Sequence, residues 1–374
     1  MASEMLVSLR LGAVLAEQVP REVADALLSV QVSEGVGQPG GFRLSFGMGK
    51  RSLLYRELLP SGALDPPARA QIVVTIRGQA TVLMDGVVTR HEVTPSAEPG
   101  QARLTLTGED VSRMMDVIDF TGVPYVGLPP EARVALICAK YPMYGLVPKI
   151  VPSVKLITPN PLESVPAQQG TDLAYVKALA AQVGYHFYVE PGPVPGVNFA
   201  YWGPLVKAGS PQPTLWANAD ATTNVETLTF TFDGFSATQY VALIQEPVTK
   251  FPIPIPIPDV TPVNPPMGAR KPLPLKASVI RGLAKLSPLQ AAGVALARAA
   301  DGYEVVSGQG TLDVLRYGRP LRARRPVTVR GASLGYDGTY FVKSVTHDIK
   351  RGGYTQQFTL TRNAFLPLPQ GPLS

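Results

Sequence analysis

Residues 327–363 read VTVRGASLGYDGTYFVKSVTHDIKRGGYTQQFTLTRN and divide into three strands. Residues 327–332 make the first, followed by a turn at Gly335-Tyr336-Asp337-Gly338. Residues 339–349 make the second, with a turn at Arg351-Gly352-Gly353, and residues 354–362 the third. Gly-Gly between two β-rich runs marks a hairpin, because glycine adopts the positive φ of a tight turn. Along the third strand Phe358 and Leu360 point one way and Gln357, Thr359 and Thr361 the other, giving one buried and one polar face. The second strand is mixed, with Tyr340, Val342 and Val345 among polar neighbours. Such a set is marginal alone in water, so it requires further strands.

Similar material stands at the other end of the chain. Residues 5–11, 27–33 and 42–47 read as short strands, with a loop at 19–25 and a glycine-rich turn at 35–41. Residues 72–76 and 80–89 pair across Arg77-Gly78-Gln79, and 87–93 pair with 102–108. Short strands at this spacing indicate a small antiparallel barrel or sandwich, and closure would remove its edges.

Between the ends the pattern is mixed. In LTGEDVSRMMDVID, residues 106–119, Thr107 or Gly108 is expected to cap a helix with Glu109 and Asp110 in its first turn and Val111, Met114, Met115 and Ile118 as its apolar stripe. Residues 130–141 form a second helix closed by Pro142. Residues 170–184 form a third, capped by Thr171 and ended by Gly184, before a strand at 185–189. Strands at 198–203 and 214–218 lead into 222–234, where Val225, Leu228, Phe230 and Phe232 alternate with Thr227, Thr229 and Thr231 after an irregularity beyond Val225. In 250–276 proline alternates with isoleucine, so the backbone is extended and lacks donors at those sites. This is an arm packed on its own domain or on a neighbour, because exposed isoleucines are costly. Residues 277–300 read as two helices broken at Ser287-Pro288, and 303–308 and 310–315 return to strand.

The expected organisation is mainly β with an α+β insertion: two similar small antiparallel β-barrels joined by an α/β domain. The first barrel spans 1–108 and the insertion 109–215. Residues 216–248 supply strands to the second barrel, 249–301 form the arm and helical segment, 302–366 complete the second barrel, and 367–374 are a loose tail.

Composition limits the chemistry. The 374 residues are 45% hydrophobic and only 17% charged, below the usual quarter, so much of the surface is neutral or covered by partners. The net charge of +6 permits acidic partners without requiring them. The basic run Arg319–Arg325 with Arg330 has no interleaved aromatics and reads as a solvated or interface edge rather than a nucleic-acid site. One cysteine, Cys138, excludes an internal disulfide and reads as a core residue. The segment LRLGAVLA lacks a basic flank and is interrupted by Arg10, which argues against a cleaved signal. No apolar run reaches the ~18 residues of a membrane span.

No nucleophile elbow, zinc motif or phosphate loop is present, and no catalytic residue, cofactor or metal ligand is assigned. His91, His186 and His347 are far apart in sequence. Glu109, Asp110 and Glu190 would be the first residues to mutate if the chain were a peptidoglycan hydrolase. Tyr201, Trp202 and Trp216 would be the platform of a glycan-binding protein.

Four stretches carry a resemblance: RLTLTGEDVSRMMD, GTDLAYVKALAAQVGYHFYVEPG, NVETLTFTFDG and YFVKSVTHDIKRGGYTQQFTLTRN. Together they resemble the central hub of contractile tails, namely the late control gene D family of phages and the N-terminal half of type VI secretion spikes. The Pro-Ile arm at 252–258 departs from that pattern. The sequence also stops after the hub region without the OB-fold and β-helix needle of fused spikes, so on this resemblance the needle would be a separate polypeptide. The resemblance implies a structural protein and no enzyme. It implies a homotrimer whose six barrels form a pseudo-sixfold ring between a threefold spike and the sixfold inner tube. Its partners would be needle, tube and baseplate proteins, with no nucleic acid and no membrane span. It would assemble in the cytoplasm into a phage tail or a contractile injection particle.

Overall fold

The computed structural model describes residues 5–98, 101–153, 165–245, 252–258, 260–280, 292, 294–296, 299 and 303–368. The first β unit comprises β1 (Met5–Gly12), β2 (Glu17–Gln18), β3 (Leu27–Gly35), β4 (Gln38–Gly47), β5 (Arg69–Ile76), β6 (Gln79–Thr94) and β7 (Arg103–Asp110). Its strands pair in the order β3-β4-β7-β6-β5-β1, with β2 at the margin. Alternation sets the faces: Val30, Val32, Phe42, Leu44, Phe46, Leu104 and Leu106 enter one core with Ile72, Val74 and Leu54. The loop expected at 19–25 contains a short helix, α1 (Arg21–Asp25), anchored by buried Val23.

The late unit comprises β11 (Gln212–Trp216), β12 (Val225–Phe232), β16 (Val306–Asp313), β17 (Pro326–Arg330), β18 (Gly338–Lys350) and β19 (Gly353–Arg362). These pair in the order β12-β16-β19-β18-β17-β11, which repeats the order of the first unit strand for strand. The repeat extends to an irregularity: β6 slips register against β7 between Val88 and Arg90, and β18 slips against β19 between Val342 and Ser344. One difference is that β1 runs antiparallel to β5 whereas β11 runs parallel to β17. The irregularity expected after Val225 is present in the pairing of β12 with β16.

The two units share an edge. β18 pairs antiparallel with β3 from Ser344 opposite Gly35 to Lys350 opposite Ser29, so both halves belong to one 13-stranded sheet. The expected mainly β architecture is present, and beyond the expected α/β insertion the two units are also joined directly by this seam; no pairing among the described residues closes either unit into a ring. A buried polar cluster pins the seam. Glu34 accepts from the Ala323 backbone N–H at 2.7 Å and lies 3.7 Å from the Arg322 Nε, and Gln356 exchanges hydrogen bonds with the backbone of Leu321. Burial opposes the Glu34 charge, but Arg322 and His347 with the Ala323 N–H hold its pKa below the usual carboxylate value. The short helix α4 (Val314–Tyr317) of the late unit places Val314 in the core of the first.

The insertion packs α2 (Pro130–Cys138) and α3 (Asp172–Gln182) on a sheet of β8 (Leu146–Ile150), β10 (Asn198–Gly203) and β9 (His186–Pro191). Thr171 caps α3 as expected, its Oγ1 accepting from the Ala174 N–H at 3.2 Å. Its core contains Val134, Ile137, Cys138, Val176, Leu179 and Trp202. A buried carboxylate fastens this domain to the first unit. Asp85 accepts from Arg69 Nε and Nη2, both at 2.8 Å, and from Gln71 Nε2, Asn198 Nδ2 and the Gly196 N–H at 3.0–3.1 Å. Arg69 then donates to the carbonyls of Met143 and Tyr144.

Three local expectations are corrected. The helix in residues 106–119 begins later: β7 runs to Asp110, and Asp110, not Thr107 or Gly108, caps a 3-10 helix over Val111–Asp116. Gly108 is committed to the sheet, since a Cβ there would meet the Val87 carbonyl oxygen at 2.2 Å and the Phe42 ring at 2.3 Å. The stretch 216–248 divides, because β12 joins the late unit whereas β13 (Thr238–Gln245) pairs with β14 (Pro252–Pro256) and β15 (Lys276–Val279) in a separate three-stranded sheet. Residues Ala277 to Val279, expected as helix, lie in β15 beside β13. The break at Ser287-Pro288 lies outside the described residues. The Pro-Ile arm is an edge strand. The Ile257 N–H donates inward to Tyr240 O, so the alternate positions Pro254 and Pro256 turn their donor-free nitrogens outward.

Candidate functional site

Eight consecutive strands, β12-β16-β19-β18-β3-β4-β7-β6, present one continuous polar face. Register aligns Thr229, Gln309 and Thr359 across the late unit, and Gln31, Arg43 and Thr107 across the first. Thr346 opposite Ser33 carries the row over the seam. The opposite face is apolar and fills the two cores. A shallow groove lined by Thr227, Thr229, Gln309, Thr346 and Thr359 crosses the late half. The face is mostly neutral on β12, β16 and β19, whereas Asp348, Arg43, Arg103, Glu109 and Glu92 place charges of both signs on the other strands. Hydroxyls and amides at this density make a wettable, weakly binding wall rather than a pocket for one ligand.

The eight-stranded face carries an open edge on each side. β5 covers β6 only as far as Val87, so among the described residues Arg90 to Thr94 pair on one side alone, with β7. β12 pairs only with β16 among the described residues. Unpaired backbone donors and acceptors on such edges are templates for a further strand.

The residues singled out from sequence do not converge. Glu109 and Asp110 are successive strand residues and point to opposite faces. Asp110 is buried, accepting from the N–H groups of Gly40 at 2.5 Å and Ser112 at 2.9 Å; burial raises its pKa despite those bonds. Glu190 lies on β9, in the insertion. His91 meets Asp65 at 3.2 Å in the first unit, His186 is in β9, and His347 is buried at the seam with Nδ1 2.6 Å from the Tyr354 hydroxyl. Burial, reinforced by Arg322 but opposed by Glu34, pulls the His347 pKa down to about 4. The aromatics are also dispersed. Trp202 is fully buried against Tyr185, Tyr201 stacks on Tyr188, and Trp216 stands 40% exposed in the late unit. Cys138 is buried, and burial pushes its thiol up to about 12. Among the described residues no cluster of three or more His, Cys, Asp or Glu has metal-binding geometry, and no helix is long and apolar enough to cross a membrane.

What sequence reading missed is the edge of β6. Val93 is 40% exposed on the apolar side of a strand, and that alternation beyond the end of β5 was the available signal.

No protein-family model matches the sequence, and no curated protein matches it. Solved structures do match over nearly the whole chain. A tail protein from Neisseria meningitidis aligns with TM-score 0.61 at 17% identity, covering 96% of this chain and 97% of that one. The tail protein of prophage MuSo2 from Shewanella oneidensis aligns with TM-score 0.62 at 11% identity, covering 96% and 98%. An E. coli protein described as a component of the type VI secretion system, with structural similarity to bacteriophage tail proteins, aligns with TM-score 0.52 at 13% identity, covering 92% and 74%. The chain therefore has the fold shared by phage tail proteins and a type VI secretion component.

Proposed function

We propose that this chain is the structural hub of a contractile tail or injection particle. Three copies close into a ring of six like β units, which adapts a threefold spike to a sixfold inner tube. The observation that carries this reading is the strand-for-strand repeat of one β unit within the chain, joined at an internal seam, with β12 at one edge and the outer part of β6 at the other unpaired on one side among the described residues. A doubled unit lets a threefold assembly imitate sixfold symmetry. The polar face then lines the lumen, where a passing tube or cargo must not stick. The tail-protein fold supports the same role. Spike, tube and other baseplate proteins are its partners in this reading, and the ring assembles in the cytoplasm before joining the particle. The role requires no turnover, in keeping with the dispersal of Glu109, Asp110 and Glu190.

Electron cryo-microscopy of the chain mixed with candidate tube and spike proteins tests the reading. The expected image is a threefold ring of six similar lobes with the Thr-rich face inward. Single copies bound to the outside of a tube would refute it.

A further inference from the structure

We infer that successive copies join by antiparallel pairing of β6 of one copy with β12 of the next, with Glu92 opposite Thr231 and Thr94 opposite Thr229. The inference rests on the hub reading and adds the seam between copies.

The internal seam supplies the template. There, Thr346 of β18 lies opposite Ser33 of β3, and Asp348 opposite Gln31. The counterpart of β18 is β6, and the shared slip fixes the correspondence. After it, Arg90 faces Thr107 as Ser344 faces Thr359, and Thr94 faces Arg103 as Asp348 faces Thr355. The counterpart of β3 is β12. Gln31 faces Arg43, which faces Thr107; Thr229 faces Gln309, which faces Thr359. Thr229 therefore stands where Gln31 stands, and Thr94 where Asp348 stands. Carrying the internal register across sets Thr94 opposite Thr229, Val93 opposite Phe230, Glu92 opposite Thr231, His91 opposite Phe232 and Arg90 opposite Asp233.

The side chains agree with a register derived from backbone pairing alone. Glu92 and Thr94 share the polar face with Thr105, and Thr229 and Thr231 share it with Gln309. Val93 and Phe232 are 40% and 39% exposed in the single copy and fall on the apolar side of the seam. Arg90 and Asp233, both exposed, meet with opposite charge. The Asp233 N–H still donates to the Val305 carbonyl at 2.9 Å, so the strand geometry reaches that residue. A slip of one residue would set Glu92 against Phe230 and Arg90 against Phe232, reversing every face. The two seams also differ in kind: Glu34, buried beside Arg322 at the internal seam, has Phe232 as its counterpart between copies. The outer seam is thus apolar where the inner one is ionic.

Engineered disulfides test the register in the full chain, because Cys138 is buried and its thiol is held protonated. Under mild oxidation the E92C/T231C double variant should give linked dimers and closed trimers, while each single variant and the slipped pair E92C/F230C give none. Sedimentation is run on the same samples. A trimer that links through E92C/F230C and not through E92C/T231C would overturn the register and leave the hub reading standing. A chain that stays monomeric with tube and spike proteins present would overturn both. As a second test, R90E and D233R should each weaken trimer formation about tenfold and recover when combined. Failure of the pair to recover would overturn the opposition of Arg90 and Asp233.

Discussion

Removing the Asp85 carboxylate should loosen the insertion from the first β unit. Asp85 and Arg69 are 1% and 3% exposed, and Asp85 accepts five hydrogen bonds, two from Arg69, one from Gln71 and two from the insertion at Gly196 and Asn198. Asp85→Ala strands the Arg69 guanidinium in a site with no countercharge, a change that typically costs about 3–5 kcal/mol. The paired replacement Arg69→Met with Asp85→Leu removes both charges and should recover part of that loss. It still leaves the Gly196 N–H and the Gln71 amide without the Asp85 acceptor, while the Asn198 amide keeps the Tyr144 carbonyl, so a residual of about 1–3 kcal/mol is expected. The assay is urea denaturation followed by Trp202 fluorescence in a Trp216→Phe background. Trp202 is buried in the insertion core and reports on that domain, whereas Trp216 lies elsewhere. A loss below about 1 kcal/mol for Asp85→Ala would refute the assignment of Asp85 as the fastening point, since that is the range of exposed ion pairs.

Four further outcomes follow from the same structure. His347 is buried and neutral, with its pKa drawn from 6.5 to about 4, so the stability it contributes is full above pH 6.5 and is lost as pH falls toward 4. Across that window it amounts to about 3 kcal/mol, and His347→Gln should flatten the corresponding part of a stability–pH profile. Asp110→Ala removes the acceptor for two backbone N–H groups and should cost about 1–2 kcal/mol in chemical denaturation, whereas Glu109→Gln stays within about 0.5 kcal/mol. Gly108→Ala drives a methyl group into the Val87 carbonyl and the Phe42 ring and should lower stability by about 1–3 kcal/mol, read as a lower thermal midpoint. Replacing Pro254 and Pro256 by threonine gives the outer edge of β14 two new donors and should produce concentration-dependent self-association in light scattering.

Local pattern made several elements legible in advance. The alternation of Phe358 and Leu360 against Gln357 and Thr359 fixed both faces of β19, and Thr171 with Gly184 bracketed α3 because each satisfies a helix end locally. The start of the helix after Gly108 was misread because β4 and β6, far away in sequence, hold Gly108 and Glu109 in strand. No periodicity reports that. The same cause hid β15, whose one strand partner among the described residues is β13. The seam of β18 with β3 joins residues more than three hundred positions apart, and alternation along either strand is satisfied by any neighbour. Closure of each unit was inferred from strand number, but sheet edges are settled by which strands meet in space. Within the candidate site the polar row was readable strand by strand. The open edge of β6 was not, because it depends on where β5 stops.

The claim that one chain carries two copies of a ring module is tested most directly by mass. Sedimentation equilibrium of the full chain, with and without candidate tube and spike proteins, should reveal a trimer of about 120 kDa, three times the 39.9 kDa of one chain. A mass fixed at one chain under every condition, or a closed ring of six chains, would contradict it.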